Sequence, residues 1–262
     1  MMAAFAEAAR ALNRLDYQEV AEGNAEFLLR ELKLENGRLL RSWKDGAAKL
    51  NGYLEDYSYL IEGLLELYQT TFDPCWFLAA QELAETMIEH YADSDGTFFD
   101  TSDDHETLIT RPRDLQDNAT PSGSAMAVTA LFKLAGFTNN LRYVDVAYQA
   151  LASVQPMMAQ YPLGFGQWLQ ALAYALSKPR EIAIIGDPEA TGTQALLSVV
   201  RSEYRPFQVV ALGLPDVNLP AVPLLQDRGL VNGQPAAYVC RDFACQAPVT
   251  EAEGLRTLLE QP

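Results

Sequence analysis

The sequence predicts a mainly α fold: an incomplete α/α toroid or helical solenoid followed by a small α/β element. Three observations carry that expectation: helical spacing of apolar residues up to residue 179, an alternation of wholly apolar with amphipathic segments, and a change of rhythm near Pro179. Six of the 14 prolines lie in the first 180 residues and eight in the remaining 82. The boundary separates helical-hairpin repeats at 1–179, taken as the C-terminal half of a toroid, from a β-α-β element, loop and terminal helix at 180–262.

Helices are expected at 3–14, 17–33, 56–70, 75–91, 122–136, 141–155 and 164–177. The stretches at 17–33, 76–91 and 141–155 mix charges with an apolar stripe, as a helix with one wet face does. Those at 57–69, 124–136 and 164–177 are apolar nearly all round, so they are expected to be buried on both sides. The aromatic opening each surface helix has an alanine four places on: Tyr17 and Ala21, Trp76 and Ala80, Tyr143 and Ala147. In the first two units a glycine follows after twenty positions, Gly37 and Gly96, and starts a β-like excursion, GRLLRSW and GTFFDT; the third unit has Gly164 and none. Such an internal repeat points to stacked hairpins with loops elaborated on one side, a plain bundle being the simpler alternative. Beyond Pro179, EIAIIG and FQVVALG are strands around the helical TGTQALLSVVRSEY, and Ala236 to Cys240 is a further strand after the proline-broken stretch that begins at 216. The closing TEAEGLRTLLEQ reads as a helix capped by Thr250, with Glu253 completing a capping box.

With 35 acidic against 19 basic residues the net charge is -16 and nucleic acid would be repelled at long range. Apolar content of 49% fits a globular chain, and no apolar run approaches a spanning helix, so a soluble cytoplasmic protein without membrane contact is expected. Three cysteines allow at most one internal pair and fit a reducing compartment. The CxxxxC spacing of Cys240 and Cys245 suits a structural or adventitious role better than the CxxC of a redox pair. No GxGxxG or Walker loop accompanies the β-α-β unit, so no cofactor is implied; His90 and His105 lack partners at zinc spacing, and the acidic run 100–106 lacks EF-hand spacing, so no metal is expected.

Two polar clusters sit where buried helices begin, on the side expected to line a central funnel. In the first, Glu55 and Asp56 stand with Tyr53, Tyr57 and Tyr59. An acid in a helix's first turn caps free amides, yet capping explains one of the two better than both, and tyrosines stack on sugar rings. In the second, Arg111, Arg113 and Asp114 precede Asp117 and Pro121-Ser122-Gly123-Ser124. Asp117 is read either as a carboxylate held in an ion-pair network or as a catalytic base. Glycoside hydrolysis needs one carboxyl as general acid and another as base or nucleophile. Glu55 or Asp56 would supply one and Asp117 the other, with Trp43, Tyr53, Tyr57, Arg111, Arg113 and Ser122 contacting a sugar or other small molecule.

Taken together, YLEDYSYLIEGLLELYQTTFDP, TRPRDLQDNATPSGS, EIAIIGDP and CRDFACQAP resemble the C-terminal region of the spermatogenesis-associated, thioredoxin-like proteins called YyaL in bacteria. The chain departs where such proteins read PSGNS and it has Pro121-Ser122-Gly123-Ser124-Ala125, without the asparagine. The resemblance implies a toroid similar to N-acylglucosamine 2-epimerases and six-hairpin glycosidases, in a longer protein with an N-terminal thioredoxin-like domain. It also implies a carbohydrate substrate class, met by a glycosidase-like or sugar epimerase-like enzyme, the alternative being a non-catalytic scaffold or interaction module. Half a toroid would expose apolar inner-helix surface, so self-association through the open edge is expected.

Overall fold

The computed structural model of the chain describes residues 1–106, 109–215 and 221–261. The seven helices read from the periodicity are all present: α1 Met2–Leu12, α2 Leu15–Glu31, α3 Leu54–Thr71, α4 Pro74–Tyr91, α5 Gly123–Thr138, α6 Leu141–Gln160 and α7 Gly166–Leu176. Their ends follow local chemistry. The Asp73 carboxylate accepts the Cys75 N–H (2.9 Å) ahead of Pro74, the Ser122 hydroxyl accepts from Ala125 N (3.2 Å), and the Asn140 side chain accepts from Arg142 N (3.0 Å). Asn13, Phe72 and Asn139 turn into the left-handed region, with φ of 52°, 59° and 54°, and end α1, α3 and α5. One boundary differs from expectation by more than two residues: α6 runs through Pro156 to Gln160. The amide that Pro156 lacks would have bonded the carbonyl of Ala152, and Ala152 is exposed, so water can solvate that group.

The helices pair as hairpins, α1 with α2, α3 with α4 and α5 with α6, while α1, α3, α5 and α7 pack side by side in chain order as an inner row. The repeat is thus physical. Ala21, Ala80 and Ala147 are each fully buried on the side of the outer helix that meets the core. After α2 and after α4 the chain makes the same turn. Gly37 N donates to Leu34 O (3.0 Å) and Gly96 N to Asp93 O (3.1 Å), both glycines lie at positive φ (81° and 83°), and the bridges Lys33–Leu39 and Ala92–Phe98 follow. The first excursion grows into a hairpin, β1 Leu40–Lys44 with β2 Ala47–Asn51, turned at Asp45-Gly46 with φ of 52° and 78°. The second stops at the bridge, and in the third unit Gly164 lies in a short 3-10 turn, Pro162–Gly164.

The C-terminal segment forms β3 Arg180–Ile185, α8 Thr191–Arg201, β4 Gln208–Gly213, β5 Ala236–Arg241, β6 Ala244–Cys245 and α9 Ala252–Glu260. The sheet order is β4-β3-β5-β6, with β3 parallel to β4 and antiparallel to β5. Both faces are covered, which is why EIAIIG reads as continuous hydrophobicity. Ile182, Ile184, Val210 and Leu212 pack with residues of α8 and α9, whereas Ala183, Ile185, Val209 and Ala211 join the core of the helical region. Gly136 of α5 brings that sheet close, since a Cβ there would lie 3.0 Å from Val209, and Val210 N donates to the Gln69 side chain of α3 (3.0 Å).

The capping box at Thr250 does not form. Val249 is held extended by its bridge to Ala237, α9 starts at Ala252 with Glu251 as its N-cap, and Glu253 pairs with Arg256 instead. Residues 216–220 of the proline-broken stretch lie outside the described residues. No described helix is long and apolar enough to cross a membrane.

Candidate functional site

The inner helices α3, α5 and α7 begin on one side of the structure, where loops and β1 meet them. Gly123, first residue of α5, makes the approach possible: a Cβ there would sit 3.0 Å from the backbone nitrogen of Glu55, first turn of α3. Tyr59, one turn on, donates to the Pro121 carbonyl (2.6 Å) and ties the same two helix starts together.

Glu55 and Asp56 share one cation. Arg41 on β1 donates from Nη2 to Glu55 Oε1 (2.8 Å) and from Nη1 to Asp56 Oδ2 (3.0 Å), and its guanidinium lies 4.2 Å from the Tyr53 ring centre. Asp56 also accepts the Tyr53 N–H (2.8 Å), the helix-start role anticipated for one of the two acids. Burial raises the Asp56 pKa, against the pull of that amide and of Arg41. Burial likewise raises Asp100, which faces Asp114 and Glu55, and Tyr59, which faces Glu55 and Asp117.

Asp117 stands behind this pair. Its Oδ1 accepts Ser122 N (2.8 Å) and its Oδ2 accepts Gln167 N (2.7 Å), so one carboxylate holds the first turns of both α5 and α7. Tyr57 is fully buried, its hydroxyl accepting Leu39 N (2.7 Å) and its ring set against Tyr91. Trp43 is 42% exposed on β1, donating to Glu31 (3.3 Å) with its ring edge on Phe27. Arg111 and Arg113 both lie against the Phe99 ring. Arg111 donates to the carbonyls of Thr101 and His90, and Arg113 pairs with Asp93 and Asp95 after α4. Within the acidic run, Asp103 meets His90 (2.8 Å) and Asp104 meets Arg38 (2.7 Å). Among the described residues no group of His, Cys, Asp and Glu is arranged to hold a metal ion.

A cleft of about 530 Å³ opens between α1, α2, β1, α3 and α5, lined by Arg41, Glu55, Asp56, Tyr59 and Glu62 together with apolar residues that include Leu60 and Met126. The structure therefore brings Glu55 and Asp56 to one cavity, with Tyr53 beside them through Arg41. It leaves Asp117 and Ser122 at the helix starts behind it, and Trp43, Tyr57, Arg111 and Arg113 outside its lining. Of the lining residues, Arg41 and Glu62 escaped sequence reasoning, and Tyr59, read there in the first cluster, stood outside the expected ligand contacts. The signal for Tyr59 and Glu62 was present: Glu55, Tyr59, Glu62 and Glu66 recur at i, i+4, i+7 and i+11, a polar stripe along an otherwise apolar helix. Glu62 Oε1 accepts Lys133 Nζ from α5 (2.5 Å), while its Oε2 is buried without a hydrogen-bond partner among the described residues.

No family model matches the chain. It is 31% identical over 253 residues to Spermatogenesis-associated protein 20 of Homo sapiens, covering 91% of this chain and 32% of that protein. The Rattus norvegicus protein of the same name is 30% identical over 275 residues, 100% of this chain and 35% of the relative. An uncharacterized protein of Caenorhabditis elegans is 25% identical over 269 residues, 97% and 36% respectively. The chain spans about a third of the length of the curated relatives it matches.

Proposed function

From the premise that the chain is related over its full length, at moderate identity, to the YyaL and spermatogenesis-associated protein 20 proteins, we propose that it is a ligand-binding helical region whose cleft takes a sugar or similar polyhydroxylated small molecule. The observation that carries the proposal is an unpartnered carboxylate oxygen on a residue that lines the cleft. Glu62 Oε2 has no partner among the described residues, and it lies on the same stripe of α3 as Glu55 and Tyr59. Adjacent hydroxyls of a sugar donate to carboxylates and accept from a guanidinium, and Arg41, Glu55 and Glu62 supply both kinds of partner within one cavity. The acid pair read from the sequence, Glu55 or Asp56 with Asp117, stays within this proposal, although Asp117, Tyr53 and Trp43 do not line the cleft. A general acid must hold its proton near working pH, and burial moves Asp56 in that direction. No reaction is assigned.

Titration calorimetry against a panel of neutral mono- and disaccharides tests the proposal. At least one should bind, and Glu62→Gln should weaken it about tenfold with the melting transition retained, since a hydrogen bond to a charged acceptor contributes about 1.5–3 kcal/mol. Silence across the panel, or equal binding by the variant, would remove the proposal. A non-catalytic scaffold is the second reading. It is favoured by the internal partners of the three acids: Glu55 and Asp56 on Arg41, and Asp117 on two backbone amides.

Self-association belongs to the same proposal. Leu163, Leu169 and Leu176, at or just before the last inner helix, are 101%, 37% and 73% exposed. Light scattering should then show a mass that rises with concentration, and a monodisperse monomer of 29.0 kDa would exclude it.

A further inference from the structure

Away from the cleft, the β5–β6 hairpin carries chemistry of its own. Cys240 and Cys245 face each other in register across its two strands and are joined as a disulfide. The turn between them, Asp242-Phe243, has both residues at positive φ (50° and 58°), as a two-residue hairpin of this twist requires. Cys240 is fully buried and Cys245 is exposed. Arg228, from the loop before β5, aims Nη2 at both sulfurs, 3.1 Å from Cys245 and 3.4 Å from Cys240, while Nη1 donates to the carbonyls of Leu224 and Gln226. Among the described residues no carboxylate lies within ion-pair distance of that guanidinium. A neutral disulfide gains little from a half-buried cation, whereas a thiolate beside one is strongly stabilised.

The bond is also poorly placed as a staple. It closes a loop of sequence separation 5 that the turn already closes. The strands are held besides by Gln246 N donating to Val239 O (3.0 Å) and by the reciprocal pair between Ala237 and Val249 (2.8 and 3.0 Å). Opening it would leave the hairpin in place.

We propose that Cys240–Cys245 is a thiol–disulfide exchange site, reduced by a dithiol and assisted by Arg228 as the group that stabilises the departing thiolate. One thiolate of the reductant attacks the exposed Cys245 sulfur. The bond to Cys240 breaks, Cys240 leaves as a thiolate beside Arg228, and a mixed disulfide remains on Cys245. The second thiolate of the reductant then attacks its own sulfur in that mixed disulfide and expels Cys245. The reductant ends as a disulfide and the chain as two thiols, a transfer of two electrons and two protons. The charges facing the site are Glu181, register partner of Cys240 on β3, Asp227 beside Arg228, Asp242 in the turn, and the Tyr238 phenol. Burial pushes the Glu181 carboxyl up to about 7, which lessens its opposing charge near neutral pH.

The test uses the full chain with Cys75→Ser, which removes the free cysteine. Folded protein is treated with dithiothreitol, quenched with iodoacetamide and counted by mass. Reduction should go to completion with circular dichroism unchanged, and glutathione disulfide should restore the bond. In the reduced chain, alkylation of Cys245 should titrate below the ordinary thiol value of about 8.5. Arg228→Met should slow reduction about tenfold and move that titration up, a thiolate shift of about one pH unit, and Arg228→Lys should restore most of both. A pair that resists dithiothreitol until guanidinium unfolds the chain, or that glutathione disulfide never reoxidises, overturns the proposal. So does a rate and titration indifferent to Arg228→Met in a variant that melts as the parent does.

Discussion

Replacing Lys133 with methionine should cost the chain about 3–5 kcal/mol of folding stability, the range for breaking a buried charge pair from one side. Lys133 on α5 reaches across to α3, with Nζ 2.5 Å from Glu62 Oε1 and 2.7 Å from Glu66 Oε1, and all three side chains are at most 16% exposed. Burial alone would raise the Glu66 pKa, yet Lys133 together with Arg10 of α1 overcomes it and holds Glu66 at about 2. Burial raises Glu62 in spite of Lys133, its single ion-pair partner among the described residues. After Lys133→Met, Glu66 keeps Arg10 at 2.5 Å, whereas Glu62 is left as an isolated buried carboxylate. The loss should therefore be larger at pH 8, where Glu62 must bear its charge, than at pH 5, where it can take up a proton. Adding Glu62→Gln should recover most of it, because the penalty lies in the orphaned charge more than in the lost attraction. Urea unfolding of the parent, the single variant and the double variant at both pH values measures this. A single-variant loss below about 1 kcal/mol, or a double variant no better than the single, would show that the cluster is not coupled in this way.

The same cluster shows what could be read from the chain in advance and what could not. Helix positions were legible from local rules: the wholly apolar α3 and α5 lie in the inner row, segments with one alanine stripe lie outside, and Asp73-Pro74 and Ser122 mark starts through their own backbone bonds. The exception is α7, expected to be buried on both sides: it buries only Trp168, Ala171 and Tyr174, because no further helix covers its other face among the described residues. The stripe Glu55–Tyr59–Glu62–Glu66 was legible in principle, as was the hairpin signal Asp45-Gly46 that places β2. What lay beyond reach is the pairing of distant groups. Nothing in the spacing says that Lys133 neutralises Glu62 across 71 positions, or that Arg41 spans Glu55 and Asp56 from a strand edge. Asp117 is the sharpest case. An acid ahead of a helix start can cap that helix, but that its second oxygen also caps α7, 50 residues on, depends on how the inner helices stack. The facing of Cys240 and Cys245 depends likewise on strand register, which a spacing of five residues does not set.

Stability should fall as pH rises from 4.5 to 7, the reverse of the behaviour that paired surface carboxylates confer, and Glu181 should carry much of the change. The residue is 5% exposed on β3, and burial pushes its carboxyl from the ordinary 4.5 up to about 7, with Asp242 adding to the rise and the Phe243 N–H (2.8 Å) and Arg228 opposing it. Between these two values the folded chain keeps a proton that the unfolded chain has released. The stability linked to Glu181 is therefore fully present below pH 4.5, declines through the interval, and is gone above about 7. At about 1.4 kcal/mol per pH unit the interval bounds the effect at about 3 kcal/mol. Asp56 and Asp100, raised by burial, act in the same direction, while Glu66 acts oppositely and only below pH 4.5. Relief of the net charge of -16 also favours mild acid, so the wild-type slope alone would not identify the group. Glu181→Gln separates the two: its amide oxygen can still accept the Phe243 N–H, and it carries no charge at any pH. The variant should match the parent near pH 4.5 and exceed it by about 2 kcal/mol at pH 8 in urea unfolding. Two curves that run parallel across that range would place the titrating group elsewhere.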